Sequence, residues 1–286
     1  MGVLENSKTY QPRQALVPTP QLYDEIVGAG MEDLAKATIA EMPSLPSGSV
    51  ILDIGCGTGA GTAAIVDQFR DISGLTIKGV DISEDSVAVY KQKAAENNWP
   101  AEAIKEDAHA LSMEDSTFSH TIGTGFLFAL PNDGTSALKE IYRTLKPGGV
   151  AAFNSWAYVP NMKPIQVASN LTRPEGTPFF SGGLEKWEDP GFLQRAIQKG
   201  GFSEDRIAMT KRDFTVTTTN MDQYANMLWS FIGGIASAGW LESDEDRWDE
   251  AIDIIKRELR KSDECKELEG GRLQLKFVAN IAIAIK

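Results

Sequence analysis

Short apolar runs alternate with amphipathic segments through the middle of the chain, from residue 49 to residue 155. The runs have the length of buried strands, and the segments between them repeat apolar residues at helical spacing. The predicted strands lie at 50–54, 75–80, 103–105, 120–124 and 150–155. Alternation of this kind predicts an α/β fold in which mostly parallel strands are joined by right-handed crossovers.

The pattern changes on either side of this region. Before it, a polar arm with several prolines leads into apolar residues at helical spacing, which predicts two short helices. After it, two further strands are predicted at 206–216 and 273–285, and two helical patterns lie between them at 221–240 and 245–261.

No linker or composition shift divides the chain, so residues 1–286 are predicted to form a single domain. Its parts are an N-terminal arm with cap helices at 1–48, a ligand-binding core at 49–155, and lid insertions at 156–185 and 217–265.

Acidic residues outnumber basic ones, with 40 Asp and Glu against 28 Lys and Arg in 286 residues. The net charge of −12 offers no basic field to a polyphosphate, which disfavours a nucleic-acid partner. Two cysteines, Cys56 and Cys265, are too few for a Cys-rich metal site, and no metal is predicted. Because no apolar leader or long apolar stretch is present, we expect a cytoplasmic protein with no membrane partner.

The most specific feature is a glycine-rich turn after the first predicted strand, in the sequence Val50-Ile-Leu-Asp-Ile-Gly-Cys-Gly-Thr-Gly59. Glycines allow positive φ and let a ligand approach the backbone, and the helix that follows offers unpaired N–H groups. Open α/β sheets bind ligands at the carboxyl ends of their strands. We therefore expect Gly55, Cys56, Gly57 and Gly59 to bind a ligand.

Two classes of ligand compete for this turn. The spacing Gly55-x-Gly57-x-x-Ala60 satisfies the dinucleotide fingerprint, with Asp81 at the end of the second strand as the ribose acceptor. However, Asp53 lies two residues before the first glycine, where a carboxylate repels a pyrophosphate and attracts an ammonium group. A ligand with a ribose and an amine but no phosphates fits better, and S-adenosylmethionine (SAM) answers that description.

With further motifs in the same order, the chain resembles the class I SAM-dependent methyltransferases over residues 49–155, and more weakly to its C-terminus. Those motifs are Val80-Asp81-Ile82-Ser83, Asp107-Ala108, the stretch 118–132 and Leu145-Lys-Pro-Gly-Gly149. The resemblance implies a Rossmann-like sheet of seven strands, mostly parallel with the last antiparallel, under a helical lid. The sequence is most similar to ubiquinone-type and fungal secondary-metabolite small-molecule methyltransferases, gliotoxin-type thiol methyltransferases among them.

The resemblance also implies roles for the matching residues. The glycine turn would surround the methionine part of SAM, with Asp53 near its amino group. Asp81 would hold both ribose hydroxyls, and Ile82 would contact the adenine. Asp107 and Ala108 would read the adenine edge.

The segment after the fourth predicted strand bears on the methyl acceptor. By the same resemblance, Thr124 would lie beside the cofactor. The sequence Thr124-Gly-Phe-Leu-Phe128 lacks the [Asp/Asn]-Pro-Pro-[Tyr/Phe] motif of nucleic-acid amino-methyltransferases, which leaves a small organic acceptor. Aromatic residues in the cap and lid predict that it is apolar or cyclic. The candidates for the pocket wall are Tyr23, Phe128, Trp156, Tyr158 and Trp229.

Methyl transfer from a sulfonium needs an in-line nucleophile and exclusion of water. A hydroxyl acceptor usually needs a base as well, and neither His109 nor His120 falls in the predicted lid. Thiols and neutral amines need less help, so S- or N-methylation is slightly favoured over O-methylation. No catalytic residue is assigned. Two alternatives stay open: a NAD(P)-dependent oxidoreductase of similar topology, and a SAM-binding isomerase or cyclase.

Overall fold

The structure is a computed structural model that describes residues 10–17, 19–27, 29–69, 71–178, 184–235 and 238–286. The helices are α1 (Pro20–Val27), α2 (Gly30–Ile39), α3 (Ala60–Gln68), α4 (Glu84–Glu96), α5 (Thr135–Thr144), α6 (Met162–Thr172), α7 (Pro190–Lys199), α8 (Met221–Ile235), α9 (Glu242–Asp246) and α10 (Trp248–Arg260). The strands are β1 (Val50–Ile54), β2 (Thr76–Asp81), β3 (Ala101–Lys105), β4 (Phe118–Gly123), β5 (Leu145–Tyr158), β6 (Ile207–Asn220), β7 (Cys265–Glu267) and β8 (Arg272–Ile285).

The strands form one sheet in the order β3-β2-β1-β4-β5-β8-β6, with β7 paired to β8. The first five strands are parallel, and β8 is antiparallel to both β5 and β6. Strand order reverses between β1 and β4, which is the position where open α/β sheets bind ligands. The predicted α/β fold with a mostly parallel sheet is confirmed, and β7 is a short strand that the sequence did not reveal.

Local sequence explains where the helices next to this crevice begin. Helix α3 starts after Gly59, whose φ of 96° is left-handed and favours glycine. Helix α4 starts after Ser83, whose side chain accepts a hydrogen bond from the N–H of Ser86. Ser83 therefore caps the helix, a role that serine favours.

Two helices at the N-terminus, α1 and α2, form what we call the cap. Leu34 of α2 is fully buried against β5 and β8, where it meets Val150, Ala152 and Ile281. The opposite side of α2 contributes Ile39 to a cluster with residues of β1 and α3. The cap therefore covers one face of the sheet, and α1 extends to β6 and α8.

A second helical layer, called the lid here, consists of α6, α8, α9 and α10 with β7. Strand β8 pairs with β5 only from Tyr158↔Val278 to Val150↔Ile285, whereas its pairing with β6 continues to Asn220↔Arg272. The ends of β6 and β8 therefore project beyond the carboxyl end of β5. Since α8 follows β6 directly, the lid lies on the same edge of the sheet as the glycine-rich turn.

The boundaries of the lid differ from those predicted. Strand β5 continues to Tyr158, because β8 is long enough to pair with it there. Trp156 and Tyr158 therefore lie in the sheet, and helix α6 forms within the segment predicted as the first lid insertion, 156–185. The two predicted lid helices become three, α8, α9 and α10.

Within the part of the chain that the structure describes, no helix combines the length and the hydropathy needed to cross a bilayer. The same residues contain no group of three His, Cys, Asp or Glu side chains that could hold a metal ion.

An ion pair in the lid is fully removed from solvent. Arg173, at the end of α6, donates from Nε and Nη2 to the two carboxylate oxygens of Asp244 in α9, at 2.8 Å each. Both side chains are 0% exposed, and the guanidinium carbon lies 5.6 Å from the centre of the Trp229 ring. The pair ties α6 to α9 across the lid.

We expect Asp244→Ala to lower the free energy of unfolding by about 3–5 kcal/mol, because Arg173 would be left charged and unpaired in an apolar interior. Urea denaturation followed by circular dichroism measures this change. The exposed pair Arg247–Glu250 is the control, and Glu250→Ala should cost less than about 1 kcal/mol. Equal losses in the two variants would contradict this account of the lid.

Candidate cofactor and acceptor site

The glycine turn, residues 55–59, leaves the carboxyl end of β1 with its backbone facing the crevice. A Cβ built on Gly57 would meet nothing within 4 Å, so the space over this residue is open to a ligand. A Cβ on Gly59 would lie 2.9 Å from the Trp99 ring, and one on Gly55 would collide with the Phe126 ring. Glycine is needed at these positions for close packing as well as for the turn itself.

The carboxylate of Asp81 lies at the end of β2 and is fixed by two backbone donors. Its Oδ2 accepts a hydrogen bond from the N–H of Gly57 at 2.9 Å, and its Oδ1 accepts one from Ser83 at 2.8 Å. Asp81 is half-buried, and each oxygen keeps a second lone pair. A carboxylate oriented in this way can accept hydrogen bonds from two adjacent hydroxyls.

The residues predicted to contact the adenine lie in the segments that follow β2 and β3. Ile82 is 52% exposed, which gives an apolar surface directly after the Asp81 carboxylate. Asp107 Oδ1 accepts a hydrogen bond from the N–H of His109 at 2.9 Å and lies 2.7 Å from its Nδ1. These hydrogen bonds lower the pKa of Asp107, so its carboxylate stays ionised. Ala108 is half-buried beside the main core.

Sequence reasoning missed one polar group in this region. Glu106 accepts the N–H of Ser112 through Oε1, but its Oε2 is buried with no hydrogen-bond partner in the described part of the chain. The same holds for His109 Nε2 in this loop. A lone acid after a short strand carries no sequence signal that separates it from a surface residue. The buried oxygen of Glu106 is therefore evident only from the structure.

Asp53 is buried beneath the glycine turn, with 1% of its surface exposed. Its Oδ2 accepts a hydrogen bond from Thr62 Oγ1 at 2.7 Å, and the same hydroxyl lies 2.6 Å from the Tyr90 OH. Burial raises the pKa of Asp53 to about 6, against the opposing effect of the Thr62 hydrogen bonds. Through the hydrogen bond from Thr62, the Asp53 carboxylate lies against the first turn of α3.

Cys56 supports the turn through its backbone. Its N–H donates to the carbonyl of Val80 at 3.0 Å, which joins the turn to β2. Burial, and then the nearby carboxylates of Asp53 and Asp81, raise the pKa of the thiol well above its usual range. A neutral, buried thiol is a poor nucleophile, and Cys56 acts as a small filler.

Thr124 follows β4, directly beside β1 in the sheet. The residue is 8% exposed, and its Oγ1 is buried with no hydrogen-bond partner among the described residues. An unpaired buried hydroxyl is costly and distinguishes Thr124 from the other residues at the end of β4. Thr124 therefore lies at the same edge of the sheet as the glycine turn.

The acceptor side of the crevice, as we call it, consists of Met31, Gly125, Phe128 and Trp156. A Cβ on Gly125 would lie 2.5 Å from the ε-methyl of Met31 and 3.9 Å from the Phe128 ring. Trp156 packs in the same apolar cluster as Met31, with Phe214 beside it. Met31 was missed, because a methionine in an amphipathic helix carries no sequence signal beyond burial.

Two of the remaining pocket candidates are not brought into this group. Tyr158 is 39% exposed at the end of β5, and Trp229 is fully buried in the core of the lid. The side chain of Tyr23 lies outside the described residues. His120 is buried in β4, as expected for a structural residue, and burial lowers its pKa.

These features fit SAM. The open backbone over Gly57 admits the amino-acid part, the oriented Asp81 carboxylate suits a ribose diol, and exposed Ile82 suits a flat adenine. A pyrophosphate at the turn would instead lie over the buried Asp53 carboxylate.

Comparison with known proteins agrees with this geometry. Residues 51–149 match the family model described as a methyltransferase domain, and this range runs from β1 through the glycine turn into β5. This match, together with the sheet topology, supports placing the region among the class I SAM-dependent methyltransferases, whose cofactor is SAM.

Named relatives extend the similarity beyond this range. Methyltransferase ktnA from Aspergillus niger is 28% identical over 191 residues, which cover 58% of this chain and 63% of that protein. The 2-methyl-6-phytyl-1,4-hydroquinone methyltransferase of Synechocystis is 27% identical over 216 residues, covering 73% of this chain and 61% of that protein. The chain thus spans somewhat more than three fifths of the length of either relative.

A solved structure shows the same fold. Phosphoethanolamine N-methyltransferase 2 from Haemonchus contortus, in complex with S-adenosyl-L-methionine, superposes with a TM-score of 0.54 at 16% identity. The match covers 93% of this chain and 56% of that one. The arrangement of sheet and helices therefore extends to nearly the whole chain.

The burial of Asp53 has a measurable consequence for stability. Its pKa of about 6 lies above the ordinary value of 3.8, so the folded protein binds more protons than the unfolded chain between pH 4 and pH 6. Stability conferred by the neutral form is therefore lost as the pH rises through this window. Urea denaturation at several pH values measures the free energy of unfolding. The difference between Asp53→Asn and the unsubstituted protein should shift in favour of the variant by up to about 3 kcal/mol from pH 4 to pH 7. A constant difference would contradict a buried, proton-binding Asp53.

Proposed function

We propose that this protein transfers a methyl group from SAM to a small, apolar or cyclic metabolite. The observation that carries the proposal is the Asp81 carboxylate, fixed by Gly57 and Ser83 beside an open glycine backbone in a methyltransferase domain. When bound, SAM supplies an electrophilic methyl group on a sulfonium, which a nucleophile displaces in line.

In this proposal the chain's residues bind and orient the cofactor. The backbone of Gly55, Cys56, Gly57 and Gly59 surrounds the amino-acid part. Asp53, below the turn, adds negative potential that favours the ammonium group.

The nucleoside part is bound on the other side of the turn. Asp81 accepts hydrogen bonds from both ribose hydroxyls, and Ile82 packs on the adenine. Asp107 and Ala108 contact the adenine edge. Thr124 hydrogen-bonds the cofactor through the hydroxyl that has no protein partner.

The acceptor binds on the acceptor side, between the cap and the loop after β4. Met31, Phe128 and Trp156 are uncharged, and their surfaces favour a flat, apolar group over an ion. The hydroquinone in the name of the Synechocystis relative is a compound of this shape and supports a cyclic acceptor here. Covering the crevice with the cap and lid excludes water from the transfer.

A thiol or amine acceptor is slightly favoured over a hydroxyl. A hydroxyl needs a base, and His120 lies inside the sheet while His109 is bound to Asp107 at the adenine end. A thiol with an ordinary pKa of about 8.5 is partly ionised near neutral pH without a base. The residues that define the acceptor side contribute no acid or imidazole.

The test of the proposal is a panel of ring compounds that differ in the nucleophilic atom. Thiophenol, aniline and phenol are each incubated with the protein and SAM, and mass spectrometry measures a gain of one methyl group. We expect methylation of thiophenol or aniline to exceed that of phenol. S-adenosylhomocysteine binding without methyl consumption would favour an isomerase or cyclase, and binding of NADH alone would favour an oxidoreductase.

Removing the charge at Asp81 tests the cofactor site separately from the acceptor. Asp81→Asn should weaken S-adenosylhomocysteine binding by about 2 to 3 kcal/mol, roughly 30- to 150-fold in Kd, because charge-assisted hydrogen bonds to the ribose are lost. Isothermal titration calorimetry measures the affinity. Asp85→Asn, at an exposed acid in the first turn of α4, is the matched control and should bind normally. Unchanged affinity in Asp81→Asn would sink the ribose assignment.

A further inference from the structure

One buried amide joins the cap to the loop that follows β4. Asn154 of β5 is 0% exposed, and its Oδ1 accepts a hydrogen bond from the N–H of Gly125 at 2.8 Å. Its Nδ2 donates to Thr38 Oγ1 in α2, also at 2.8 Å. That hydroxyl donates in turn to the carbonyl of Leu34 at 2.7 Å, so the chain of hydrogen bonds continues into the helix.

Gly125 is the point where this network reaches the acceptor side. Its φ of 61° is left-handed, and the ε-methyl of Met31 occupies the place of a side chain. The next residue, Phe126, packs its ring on Gly55 of the glycine turn. One short loop thus touches the cap on one side and the cofactor turn on the other.

The surroundings of Asn154 make an amide an unusual choice for stability alone. The same face of β5 carries Val150 and Ala152, which pack on Leu34 in an apolar cluster. A hydrogen-bonded polar group contributes only about 1 kcal/mol net to stability, although an apolar side chain here would leave the Gly125 N–H without this partner. An amide with a donor and an acceptor does something else: it fixes the positions of both partners relative to each other.

We propose that Asn154 is a positioning residue for methyl transfer. It holds helix α2 and the loop at Gly125 in one arrangement, which sets the distance between the acceptor side and the cofactor turn. This role rests on the proposed function, and Asn154 itself touches neither the cofactor-binding carboxylate of Asp81 nor its donors.

The first variant is Asn154→Ala, measured in three ways. Hydrogen exchange should show faster exchange of the Gly125 amide. Calorimetry should give an S-adenosylhomocysteine Kd within about threefold of the unsubstituted protein, because Asp81 and the turn keep their contacts. The rate of methyl transfer to thiophenol, or to aniline if that is the better acceptor, should fall about 10- to 100-fold, since a misplacement of 1 Å has that effect.

A matched control lies on the neighbouring strand. Asn280 of β8 is also 0% exposed and pairs with Ser155, so it faces the opposite side of the sheet from Asn154. Its Nδ2 donates to the carbonyls of Trp187 and Glu188, at 3.1 and 3.0 Å. Asn280→Ala removes the same amide from the same sheet, and we expect it to affect stability but not transfer. An equal loss of transfer in both alanine variants would overturn the positioning role.

Asn154→Asp separates positioning from simple packing. A neutral carboxyl group can accept from Gly125 and donate to Thr38, whereas a carboxylate can only accept. The described groups that face this position are uncharged: the Gly125 N–H, the Thr38 hydroxyl and apolar side chains. Transfer by this variant, relative to the unsubstituted protein, should therefore be near normal at low pH and fall as the pH rises. A ratio that does not change with pH would contradict the proposal.

Failure of the two proposals can be told apart. If the unsubstituted protein methylates none of the panel compounds, the proposed function is wrong. If it does, and Asn154→Ala leaves the Gly125 amide protected or the transfer rate unchanged, the positioning role is wrong.

Discussion

The Asp81 carboxylate joins the two segments of chain that form the crevice. A parallel sheet brings the ends of β1 and β2 side by side, but does not fix the loops that follow them. Asp81 accepts one hydrogen bond from each loop, at Gly57 and at Ser83, and so determines both the path of the glycine turn and the start of α4. The exposed face of Ile82 and the open backbone over Gly57 depend on that arrangement.

A second layer of the molecule depends on strand length. Because β6 and β8 extend beyond β5, they give the lid a platform above the carboxyl edge of the sheet. The buried pair of Arg173 and Asp244 then joins helices α6 and α9 within the lid. Cofactor site and lid therefore have separate sources of order: backbone hydrogen bonds around a carboxylate in one, burial of a paired charge in the other.

The sequence predicted those parts of the fold that depend on neighbouring residues. The glycine turn and the Ser83 cap follow from short patterns, and the structure has both. Met31 and Asn154 could not be predicted, because their importance comes from contacts with Gly125, far away in the chain. The extension of β5 to Tyr158 was missed for a similar reason: it depends on pairing with β8, and nothing local to Trp156 indicates it.

The contact between Phe126 and Gly55 limits how such a protein can diversify. The ring fills the place that any side chain at position 55 would need, so a residue larger than glycine there would require a smaller residue at position 126 or a shift of the loop. The loop after β4 is consequently a poor place for variation, although it contributes Phe128 to the proposed acceptor side. Under the proposed function, new acceptor preferences would arise by substitutions in the cap and the lid, which leave the glycine turn unchanged.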